Sequence, residues 1–68
     1  MMTFKQAIID ALEKKYEAEM SIAEANIKVY LENPVGVGEH IDIVETIEKE
    51  MQKISKANEM LEELANWR

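Results

Sequence analysis

The chain has no cysteine, which excludes a disulfide framework and any thiolate-held metal. A reducing compartment suits that absence, and a cytoplasmic location is the expectation. Proline occurs once and glycine twice. All three, Pro34, Gly36 and Gly38, fall within five positions, so nothing interrupts helix anywhere else. No stretch free of charge is longer than six residues, 33–38, far short of the ~20 apolar residues that span a bilayer. No apolar signal-peptide core is visible either. Basic residues are scarce: eight against fourteen acids, net −6. The lysines are scattered among acids without forming a stripe, so neither nucleic acid nor a membrane surface is an expected partner. Sixty-eight residues make one small domain that buries only ~60% of its unfolded surface, so a staple or a partner is needed.

What remains is rich in Ala, Glu, Lys, Ile, Leu and Met, mostly good helix formers. The expectation is an all-α fold, an antiparallel two-helix hairpin occupying residues 1–68 as a single domain. One helix covers about residues 3–32, a loop about 33–40, and a second helix about 41–66. Thr3 can cap the first helix by accepting from an orphaned backbone N–H. Asn33 ends it, because the ring of Pro34 disfavours α geometry in the residue before. Asp42, with Glu45 three residues on, marks the second start as a capping-box spacing. Three pairs set an acid four residues ahead of a lysine, Asp10–Lys14, Glu24–Lys28 and Glu45–Lys49, each worth ~0.2–0.5 kcal/mol to an exposed helix.

The apolar positions sort differently on the two helices when stepped 100° per residue. The second has one stripe, Val44, Ile47, Met51, Ile54, Leu61 and Ala65, with Ile43, Ala57 and Leu64 at its flank. Asn58 falls in register on that stripe, either fixing the pairing or simply wetted where the helices splay. The first helix has two faces. Ile8, Ile9, Leu12, Tyr16, Met20, Ala23, Ile27 and Tyr30 form one. Phe4, Ala7, Ala11, Ala18, Ile22, Ala25 and Val29 form another, roughly 130° away. A single partner helix covers only one, which leaves an apolar patch larger than soluble monomers usually carry. Self-association supplies the missing burial: a homodimer forming an antiparallel four-helix bundle, with a higher oligomer as the next arrangement. Ala11, Ala18, Ile22, Ala25 and Val29 are the candidate oligomer interface, although this face and the other could exchange roles as hairpin seam and subunit seam. Either a folded single chain at micromolar concentration or coordinates with Ala18, Ile22, Ala25 and Val29 in solvent would overturn this expectation.

Candidate chemistry is sparse. Gly36-Val37-Gly38 precedes a helix, where backbone N–H groups can meet a phosphate. A dinucleotide fingerprint would need glycine at Ile41, however, and no strand precedes the loop. A turn with Val35 and Val37 capping the bundle end is the simpler account. His40 has no acid or histidine four residues away and none three residues before it, so helical metal-ligand spacing is not met. Gly36, Gly38 and His40 stand as a candidate loop site. No catalytic, cofactor or metal residue is assigned, since no triad spacing and no cysteine nucleophile occur. Tyr16, Tyr30 and Trp67 read as core or interface anchors, Trp67 equally as frayed. Residues 39–68 carry eight acids against four bases, an acidic surface suited to a basic cleft on another protein or simply solvated.

The segment Tyr30-Leu31-Glu32-Asn33-Pro34-Val35-Gly36-Val37-Gly38-Glu39-His40, followed by an acidic amphipathic helix, resembles small uncharacterised proteins encoded by tailed bacteriophages. The resemblance covers about residue 20 onward. It implies a viral origin and a life in the host cytoplasm, and it brings no catalytic residues. The functional expectation is a non-enzymatic, oligomeric interaction module that binds a host or viral protein. The alternative is a binder of a phosphorylated metabolite or nucleotide at the Gly36–Gly38 loop.

Overall fold

The computed structural model describes residues 1–33 and 42–68. Two helices, α1 (Phe4–Glu32) and α2 (Ile43–Ala65), pack against one another, and no strand occurs among the described residues. Both bounds agree with the sequence reading to within two residues. At the far end of α2, Arg68 reaches Asp10 and Glu13, while Asn26 reaches Glu50 midway. Residue numbers therefore rise along one helix as they fall along the other, and the pair is antiparallel. The result is a rod of 51 × 19 × 16 Å.

Each helix starts where its cap chemistry dictates. Thr3 Oγ1 accepts from the Gln6 backbone N–H at 3.1 Å, and the Thr3 N–H donates to Gln6 Oε1 at 2.9 Å. This is a complete capping box that satisfies two otherwise orphaned donors. Gln6 had no role in the sequence reading. At α2 the box is half built: Asp42 Oδ1 accepts from the Glu45 N–H at 3.1 Å, but the Glu45 carboxylate turns to Lys49 at 3.3 Å. Of the three acid-before-lysine pairs only this one closes. Asp10 instead takes Arg68 at 3.4 Å. At its C-terminus α1 stops at Glu32. Asn33 has left α geometry (φ −142°, ψ 63°) while its N–H still donates to the Val29 carbonyl, as expected of a residue before proline.

The seam between the helices keeps a seven-residue rhythm on both. Ile9, Tyr16 and Ala23 are buried on α1, and Ala57 and Leu64 on α2, with Leu12, Met20, Met60 and Leu61 packed around them. The α1 face is the first of the two read from the sequence, except that Ile8, assigned to it, is exposed and lies toward the second. On α2 the expected stripe is rotated by roughly half a residue step. The flank positions Ala57 and Leu64 move to the centre, while Val44 (80% exposed), Met51 and Ala65 move out. Asn58 is exposed because the rotation carries it off the seam and not because the helices splay there, and the polar seam position is Glu50, 7% exposed. A charged residue is tolerated at this seam position because both carboxylate oxygens of Glu50 are hydrogen-bonded, one by Lys53 and the other by Asn26 of α1, and burial of a polar group costs little once it is paired.

Candidate functional site

The side of α1 turned away from α2 carries an uncovered apolar stripe. Phe4 (84% exposed), Ile22 (61%) and Val29 (57%) stand out from it, and Ile8 is also exposed. Between them Ala11, Ala18 and Ala25 are open to solvent. All five candidate interface residues, Ala11, Ala18, Ile22, Ala25 and Val29, thus share one stripe, and none belongs to the hairpin seam. The hairpin has used the face with the bulkier residues. Ala18, Ile22, Ala25 and Val29 thus lie in solvent, the outcome that counts against the expected burial of this face: α2 covers one face of α1, and in the single chain the second meets water.

Along one edge of that stripe runs an open cleft of about 350 Å³, lined by Glu19, Ile22, Ala23, Glu50, Lys53 and Lys56. Its floor is the polar node that the sequence reading missed. Glu50 Oε1 accepts from Lys53 Nζ at 3.0 Å, and Glu50 Oε2 accepts from Asn26 Nδ2 at 3.4 Å. The Lys53 hydrogen bond, against the opposing effect of burial and aided by Asn26, holds the Glu50 carboxyl below the usual glutamate range. The signal for this residue was present, since Glu50 lies seven positions from both Ile43 and Ala57. No buried side-chain nitrogen or oxygen among the described residues lacks a hydrogen-bond partner, so the node is closed on itself. Its carboxylate is occupied as an acceptor, and Lys53 and Lys56 offer positive charge at the rim.

A second hollow of about 270 Å³ lies at the other end, lined by Thr3, Lys5, Gln6, Ile9 and Arg68. Arg68, on its wall, pairs with Asp10 and Glu13. These contacts raise the guanidinium's proton affinity further, the Asp10 hydrogen bond foremost. Trp67, anticipated as an anchor or as frayed, is 62% exposed with its indole N–H donating to Glu63 at 3.3 Å. Tyr16 is buried and Tyr30 half-buried. No group of three or more potential metal ligands occurs among the described residues, and no helix there is long and apolar enough to cross a membrane. The candidate loop site at Gly36, Gly38 and His40 lies outside the described residues.

Comparison with known protein families, with curated proteins and with solved structures finds no match.

Proposed function

We propose that the chain is a non-enzymatic protein–protein interaction module whose first partner is a second copy of itself. The observation that carries this reading is the exposed stripe on α1 from Phe4 to Val29, which the hairpin leaves uncovered. A soluble rod of this width has no interior in which to hide such a stripe, and a matching surface on another copy removes it from water at both sides at once. In the setting that the phage resemblance implies, an infected bacterial cell, the assembled protein meets a host or viral protein. The exposed acids of α2, Glu48 and Glu59 among them, suit a basic patch on that partner.

Sedimentation or light scattering at micromolar concentration tests the self-association. The expected mass is twice that of the chain, and Ile22→Glu, which plants a charge in the stripe, returns it to one chain with the helical circular dichroism retained. A wild-type protein that stays folded at the mass of one chain sinks the proposal. Charge reversal at Glu48 and Glu59 should weaken capture of the heterologous partner without altering that mass.

A further inference from the structure

Resting on the self-association proposed above, we infer that two copies dock antiparallel through their α1 helices in one register, with a two-fold axis passing between residues 16 and 17. The stripe follows strict alternating steps of four and three: Phe4, Ile8, Ala11, Lys15, Ala18, Ile22, Ala25, Val29. All eight are exposed. A helix with such a repeat is complementary to an antiparallel copy when each residue faces the one whose number completes a constant total. In this register Phe4 faces Val29 of the second copy, Ile8 faces Ala25, Ala11 faces Ile22, and Lys15 faces Ala18. Each isoleucine is set against an alanine, which is how facing layers interdigitate without voids. Sliding the copies by three residues instead sets Phe4 against Glu32 and Ile22 against Lys14.

Two further observations support this occupant. The large side chains of the stripe, Phe4, Ile8, Ile22 and Val29, are spread over its whole length and are 84%, 46%, 61% and 57% exposed, so a second copy laid along it in this register covers all of them at once. The one charged residue in the stripe is also disposed of. The Lys15 ammonium lies 5.4 Å from the centre of the Tyr16 ring, and Glu19 of the second copy falls beside it in the register above. The antiparallel sense also brings Glu32 of each copy toward the N-terminal end of the other α1, where the helix dipole favours negative charge.

The absence of native cysteine makes the register directly testable by disulfide trapping. Chains carrying Ala11→Cys and chains carrying Ile22→Cys are oxidised separately and as a mixture. The mixture should yield the linked dimer as its main product, and neither variant alone should. In this register a cysteine at position 11 lies ~16 Å along the axis from its own copy, beyond the reach of a disulfide. Phe4→Cys mixed with Val29→Cys should behave in the same way and guards against a local effect at the first pair. Efficient linking by Ala11→Cys alone would reveal a parallel pair. Preferential linking of Ala11→Cys to Ala25→Cys would reveal the shifted register. Either result, in a protein whose mass is that of a dimer, overturns this inference and leaves self-association standing. A monomer mass overturns both.

Discussion

The two faces of α1 differ less in how apolar they are than in the size of what they carry. The inner face presents Ile9, Leu12, Tyr16, Met20 and Ile27 around Ala23, and it is packed against α2. The outer face alternates alanine with larger residues and is bare. Burial within one chain incurs no loss of translational freedom, whereas burial between chains does. The bulkier face therefore goes inside, where its larger apolar area is secured at any concentration. The leaner face is left in water, and the self-association proposed for it would depend on how much protein is present.

That contrast can be broken by paired substitutions. Tyr16→Ala removes a buried ring from the inner face and should lower stability by about 3 kcal/mol at every protein concentration, read by thermal unfolding. Ile22→Ala on the outer face should cost the dilute chain under ~0.5 kcal/mol and act mainly by flattening the rise of melting temperature with concentration. Equal losses in dilute solution would erase the distinction between the faces. Next in size, Glu50→Leu completes the inner seam with an apolar residue, and a gain of about 1–2 kcal/mol in urea unfolding is expected. A loss would show that the Glu50–Lys53–Asn26 node stabilises the fold more than packing at that position could.

Smaller effects separate the helix starts and the acid limb. Thr3→Ala breaks a reciprocal box and should cost about 1 kcal/mol, more than Asp42→Ala, where only one of the two hydrogen bonds exists. The reverse order, measured by urea midpoints, would refute that ranking. Because the Glu50 carboxyl is held below its unfolded value, its contribution is complete above the ordinary glutamate range and drains away as pH falls through the lowered value. The urea midpoint of the wild type should therefore fall more between pH 6 and pH 3 than that of Glu50→Leu.

The two helices, their caps at Thr3 and Asp42 and the stop at Asn33 were legible because each rests on local chemistry. The choice of face was not. Both faces of α1 are apolar, and selecting one requires the shape of α2, which is tertiary information. The rotation of the α2 seam was half legible: the seven-residue series from Ile43 to Leu64 was in view, yet it contains a glutamate, and hydropathy alone favoured the series containing Met51. The outer stripe stood out because alanine and isoleucine recur there at helical spacing, but the same pattern suited a hairpin seam as well as a subunit seam. Arg68 pairing with Asp10 and Glu13 could not have been read, since it joins the two extremes of the sequence.

Among the described residues no large side chain is completely enclosed. Trimming a methyl group from such a protein opens no sealed void, since neighbours or solvent fill the gap. Penalties for truncation should accordingly fall toward the lower end of those met in deep interiors. A rod of this kind can drift through many aliphatic exchanges while its two helices persist, its identity residing in spacing more than in any single residue.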